Sequence, residues 1–361
     1  EKLQIQLEQI QQQIQQPNNI EIKQDSSSTF IQKLSIQIIH SPDQTNLYHR
    51  HQLKSNIRWK FDGQTIAGGN GQGNKLNQLC SPRAICVDHQ QQQIYIADIH
   101  NHRILKWKLG KNNGQILAGG NGQGNRIDQL SYPTDVILDE NKKSLIICDC
   151  GNRRVVRWSL QNPNGDKEIL IENIKCWGLM MNENGDLFVS DYANHSVKRW
   201  RKTEIRKGGE GTIVAGGNGQ GNQLNQLNTP TNIFIDREET IYVSDWGNNR
   251  VMKWLKGENE GIIVAGGNGE GNSLKQLNHP QGLVVNEVGD VYVADLGNNR
   301  IMCWSLGSEE GRVVVGGNGE GEESNQFFYP SGLTFDVENN LYVADFGNNR
   351  IQRFLVDKNS K

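Results

Sequence analysis

The apolar positions of this chain come in short, dense runs that repeat. From Ile241 to Trp254 the chain reads IYVSDWGNNRVMKW, an apolar run, a polar break of Asn and Gly, and a second run closed by an aromatic. The same pattern returns as IYIADIHNHRILKW from Ile94, LIICDCGNRRVVRW from Leu145, LFVSDYANHSVKRW from Leu187, VYVADLGNNRIMCW from Val291 and LYVADFGNNRIQRF from Leu341. Two further β-branched pieces precede each pair, as in GIIVAGG from Gly261 and GLVVN after Pro280. Runs of this length and composition, bounded by Gly, Asn, Asp or Pro, predict strands. VYVAD and IYVSD do not alternate, which predicts burial on both faces.

The aspartates of the repeat fall at Asp98, Asp149, Asp191, Asp245, Asp295 and Asp345, so the steps are 51, 42, 54, 50 and 50 residues. A period of that length indicates a repeat architecture. Four antiparallel strands per unit, in six units with no helical pattern between them, predict an all-β, six-bladed β-propeller over residues 63–357. The last copy ends on its third strand, and the missing fourth stands at the front of the chain as GQTIAGG from Gly63. Pairing of Gln64 to Ala67 with the C-terminal strand would close the ring and leave no free edge there. Ile57 to Lys60 (IRWK) looks like part of another third strand, and the repeat offers it no place.

Before the propeller, residues 1–16 are glutamine-rich, with Leu3, Leu7, Ile10 and Ile14 spaced as an a/d seam. They predict a short helix, either the end of a coiled coil and so a homodimer contact, or a single amphipathic helix lying on the domain. Pro17 ends it. Residues 17–62 read as a linker with short strands.

The units resemble NHL repeats, whose mark is a strand of the YVAD type followed by Asn-x-Arg-Ile/Val and an aromatic. Kelch repeats place the glycine doublet on another strand, and the Gly-His and Trp-Asp marks of WD repeats are absent. A helix, a linker and an NHL propeller together resemble the C-terminal half of tripartite-motif NHL proteins. That resemblance implies a non-catalytic propeller that recognises a protein partner, the substrate-recognition arm of a ubiquitin-ligase-like protein wherever RING and B-box zinc modules precede it. Other relatives imply alternatives: some NHL propellers bind single-stranded RNA through basic top surfaces. The peptide-amidating lyase has an NHL-like propeller with a zinc site of histidines in its channel.

Composition narrows these readings. With 38 basic and 40 acidic side chains, the net charge of −2 argues against a general nucleic-acid or membrane surface. No apolar run is long enough to cross a membrane. The segment starts at Glu1 without methionine, so a longer parent chain is expected, and a cytoplasmic setting is favoured over a secreted one. The six cysteines follow neither the repeat nor a zinc spacing, so neither a disulfide frame nor a metal site is expected, and Cys148 reads as a small buried residue. Of the eight histidines only His100, His102, His195 and His279 fall in top-face loops, and no three are equivalent, which argues against a zinc enzyme. No cofactor is called for. A basic hairpin, Lys198 to Lys207, carries a single acid, Glu204.

The loop after the second strand of each blade and the loop entering the next blade lie at the same end, the top. The six aspartates with Arg103, Arg154, Arg250, Arg300 and Arg350 therefore predict a structural ring of ion pairs there. The Gly-rich loops (Gly68 to Asn74 and its equivalents) lack the Lys-Ser/Thr and helix start of a phosphate cradle, and predict positive-φ turns. Function is then sought where copies differ. The third copy lacks its Gly-rich loop, has Cys176-Trp177 in place of Pro-x, and has His195-Ser196 where the others end in Arg. A notch lined by Trp177, Asp191, Tyr192 and His195 is expected. The residues after the aspartates in the next three blades, Trp246, Leu296 and Phe346, extend an apolar arc that either binds a partner or packs under neighbouring loops. The second residue of each first strand also varies, with Arg83, Thr134, Trp177, Thr231, Gln281 and Ser331, as expected of a recognition ring around the channel mouth.

Overall fold

The computed structural model describes residues 57–139, 141–162, 165–205 and 208–358. The predicted helix of residues 1–16 and most of the linker lie outside the described residues. Six four-stranded antiparallel sheets follow one another as blades of a propeller. Blade 1 consists of Pro82–Asp88, Gln93–Asp98, Arg103–Lys108 and Gln115–Gly119, from channel to rim. Blades 2 to 5 repeat this order from inner strands Pro133–Leu138, Cys176–Met181, Pro230–Ile235 and Pro280–Val285.

Blade 6 takes its three inner strands from the C-terminus (Pro330–Phe335, Leu341–Asp345, Arg350–Phe354) and its outer strand, Gln64–Gly68, from the front of the chain. Gln64 lies opposite Arg353 and Gly68 opposite Arg350, so the ring closes as the repeat count predicts. The unplaced IRWK segment extends this closure. Trp59 bridges Val356, its Nε1 donates to the Asn339 carbonyl at 2.8 Å, and its ring stacks on Phe335 at 5.6 Å.

The core lies between blades. Second strands such as Val291–Asp295 and Leu341–Asp345 are buried along their whole length. The aromatic closing each third strand is sealed: Trp107, Trp158, Trp200, Trp254, Trp304 and Phe354 are all at most 4% exposed. One cluster joins Tyr242 and Val251 of blade 4 to Leu283, Val293 and Trp304 of blade 5. Burial on both faces is why these strands show no alternation.

Two expectations need correcting. Cys148 and Cys176 form a disulfide, with Cα atoms 5.9 Å apart. Cys148 lies on the second strand of blade 2 and Cys176 opens blade 3, so the bond crosses the junction that lacks a Gly-rich loop. Nor is the basic segment a plain hairpin: after Trp200 the chain makes one helical turn, Lys202–Ile205, the sole α-helix among the described residues.

Candidate functional site

At the top of each blade the aspartate ending the second strand organises the turn. Asp295 Oδ1 accepts the Asn278 N–H at 2.7 Å, and Oδ2 accepts Asn298 Nδ2 at 2.8 Å and Arg300 Nε at 2.7 Å. Arg300 then donates Nη1 to the Asn272 carbonyl (2.8 Å) and Nη2 to those of Ser273 (3.0 Å) and Gln276 (3.3 Å), all in the loop arriving from blade 4. Asp98 with Arg103, Asp149 with Arg154, Asp245 with Arg250, and Asp345 with Arg350 repeat the ion pair at 2.7 Å. Burial raises these carboxyls above the ordinary range, while the guanidinium, Asn amide and backbone donors pull them back. The Gly-rich loops take the positive φ values expected. At Gly266 φ is +66°, and a Cβ there would come within 2.6 Å of the Asn249 carbonyl.

Blade 3 shows what the arginine is for. The loop leading into it is missing, so there are no carbonyls to hold, and Ser196 stands in the arginine's place. Asp191 keeps Asn194 Nδ2 as a donor and receives the Lys198 ammonium at 3.6 Å from two residues further along the strand. The junction itself is held by the disulfide and by Asp135, whose buried carboxylate accepts the N–H groups of Val136 (2.8 Å) and Leu179 (2.7 Å). Burial pushes the Asp135 pKa up to about 6 against those two donors.

Every inner strand bulges near its top, where Pro82 faces Asp98 but Ile85 faces Ile96, leaving two residues opposite one. The extra residue turns toward the channel, a usual function of bulges beside sites. The six residues at this level alternate in size: Arg83, Trp177 and Gln281 on odd blades, Thr134, Thr231 and Ser331 on even ones. The small ones bond locally, Thr231 Oγ1 to the Ser244 and Pro280 carbonyls and Ser331 Oγ to the Arg83 carbonyl. The large ones meet across the channel. Arg83 Nη2 donates to Gln281 Oε1 at 2.9 Å, and the guanidinium carbon lies 4.3 Å from the Trp177 ring and 5.4 Å from the Phe346 ring. Gln281 is 2% exposed. Burial lowers the Arg83 pKa to about 10.

The predicted notch residues are only partly brought together. Trp177 and Tyr192 make an edge contact at 5.6 Å, and burial raises the pKa of the nearby half-buried Cys150 thiol. Asp191 is sealed beneath them, at 1% exposure. His195 belongs elsewhere: its Nδ1 accepts the Thr229 N–H at 3.1 Å and so holds blade 4. His102 does the same for Tyr132, and Asn249, Asn299 and Asn349 do so with amide oxygens, so this is a structural position. In the arc, Tyr192, Trp246, Leu296 and Phe346 are all half-buried, and Trp246 lies 4.1 Å from the His279 ring. His100 bonds Ser81 Oγ and His279 bonds Asn278 Oδ1, while the His100 and His102 rings both pack edge-on against Tyr132. Among the described residues no group of three His, Cys, Asp or Glu side chains could hold a metal ion. In the basic segment Arg199 pairs with Asp186 (2.6 Å) and Glu239 (3.0 Å), and Arg201 with Glu204 (3.4 Å).

The architecture defines a closed six-bladed β-propeller with a sealed framework and a variable top. The chain carries NHL repeats: the family described as NHL repeat matches residues 79–107, 277–304 and 327–354. No curated protein matches it. Solved structures similar in fold include a Bacteroides thetaiotaomicron protein of unknown function (TM-score 0.64, 15% identity, covering 82% of this chain and 76% of that one). An auxiliary nutrient binding protein of the same organism gives a TM-score of 0.62 at 14% identity, covering 84% and 76%. A gluconolactonase of Xanthomonas campestris gives 0.57 at 14% identity, covering 83% and 97%. At such identities the likeness shows the fold alone.

Proposed function

We propose that this propeller is a non-catalytic recognition module that binds a protein partner through its top face, centred on the channel mouth and blade 3. The carrying observation is the side-chain group at the mouth, where Trp177 and Phe346 flank a guanidinium without a carboxylate partner and Tyr192 packs edge-on against Trp177. Half-buried aromatics beside an arginine have the composition of an interface hot spot. The framework around them is saturated: the ring aspartates and arginines are committed to each other and to loop carbonyls, which leaves no catalytic pair among them. RNA binding finds less support, because Arg199 and Arg201 of the basic segment are already paired with acids. The tripartite-motif resemblance supplies a setting, in which the propeller selects substrates for a ubiquitin ligase. Ubiquitin transfer to a captured partner would test that setting.

Peptides selected on the wild-type propeller from a random display library test the surface. They should bind the Trp177→Ala, Tyr192→Ala double variant at least about tenfold more weakly, the loss expected of hot-spot aromatics. Undiminished binding to a folded double variant would place recognition elsewhere.

A further inference from the structure

Every interior arginine of the ring meets an aspartate and three carbonyl groups; Arg83 does not. Its one hydrogen bond to the protein is Nη2 to the neutral Gln281 amide oxygen. Its Nε is sealed from solvent without a partner, and so is Trp177 Nε1 beside it. Nη1 bonds no protein group and is not among the sealed atoms, so solvent reaches it. The side chain is held rather than free: the bulge aims it, the Trp177 ring stacks on it, the Phe346 ring flanks it, and Gln281 ties one end. A desolvated cation fixed between aromatic faces, with an open donor edge and no counter-ion, is an incomplete charge-assisted pair.

We propose that the mouth of the channel is a carboxylate socket, in which Arg83 receives a single carboxylate of a peptide partner, a C-terminus or an acidic side chain, while Trp177 and Phe346 pack against the group that carries it. This rests on the top-face reading and names the chemistry recognised there. One cation with aromatic walls suits a monoanion. A phosphate dianion calls for more donors than one guanidinium offers. Guanidinium and carboxylate are matched in shape, and the pairing is strengthened where water is excluded.

The test uses the purified full chain and the indole N–H resonance of Trp177, identified by its loss in Trp177→Phe. N-acetylphenylalanine, a mimic of a C-terminal residue, should shift that resonance with saturation on the order of millimolar, as suits one small ligand. N-acetylphenylalanine amide, which lacks the charge, should not. Arg83→Met should abolish the shift, and Arg83→Lys, which keeps the charge without the planar fork, should weaken binding by about tenfold. If Arg83→Met fails to fold, the lysine variant and the acid-against-amide comparison still decide. Equal shifts from acid and amide, a response unchanged in Arg83→Lys, or no response to the acid would overturn the proposal. Tighter binding of phenyl phosphate than of the acid would overturn the carboxylate assignment. Should the acid fail while display-selected peptides still need Trp177 and Tyr192, the socket falls and the top-face reading stands; peptides indifferent to those two residues sink the reading itself.

Discussion

Replacing Arg300 by alanine probes the element that recurs most. Arg300 is 6% exposed, its partner Asp295 is fully buried, and the guanidinium also holds three loop carbonyls. Removing it leaves the Asp295 carboxylate with only the Asn278 N–H and Asn298 amide, and leaves the carbonyls of Asn272, Ser273 and Gln276 to find water. Breaking a buried pair by deleting one partner costs about 3–5 kcal/mol. An internal control exists in the exposed Arg126–Asp128 pair at 2.9 Å, where solvent screening should leave Arg126→Ala with little effect. Urea unfolding followed by tryptophan fluorescence reads both. The pH dependence has a fixed sign. Without Arg300 the Asp295 pKa rises further above its unfolded value, so the folded state binds the extra proton. The deficit of Arg300→Ala should therefore be smallest at acid pH and grow as pH rises through the folded pKa. A loss no larger than that of Arg126→Ala, or a deficit independent of pH, would refute the assignment of these pairs as rivets.

Three further outcomes follow from the same geometry. Cys148→Ser with Cys176→Ser should lower stability by about 3–4 kcal/mol, from the chain entropy of a 28-residue loop, with unfolding midpoints as the measure and no change taken as absence of the bond. Gly178→Ala would set a Cβ 2.7 Å from the Thr231 carbonyl and 3.0 Å from the Asn232 Cα on the next inner strand, so a cost of about 1–3 kcal/mol is expected in thermal unfolding. Because Asp135 titrates near 6 when folded and near 4 unfolded, its contribution is full below about pH 4 and is lost as pH rises to about 6. Wild type should accordingly lose about 2–3 kcal/mol relative to Asp135→Asn across that window, and parallel stability curves would contradict the buried charge.

The propeller, its closing strand and its buried second strands were legible because each signal was stated six times. The Cys148–Cys176 bond was not, since neither cysteine has a counterpart in other blades and only the shortened junction brings them together. His195 looked like an exception beside Ser196, yet its position is structural in the neighbouring blades too. The alternation of Arg83, Thr134, Trp177, Thr231, Gln281 and Ser331 stood in the sequence, but its meaning depends on ring closure, which sets Arg83 against Gln281 across 198 residues. The place of IRWK depended likewise on where Val356 ends.

Hydroxyl-radical footprinting of the propeller with and without a bound display-selected peptide locates the recognition surface. Trp177, Tyr192 and Phe346 should be protected, while the exposed rim residues Ile213 and Ile262 stay as reactive as in the free protein. Protection at the rim with Trp177 and Tyr192 unchanged would contradict recognition through the top face.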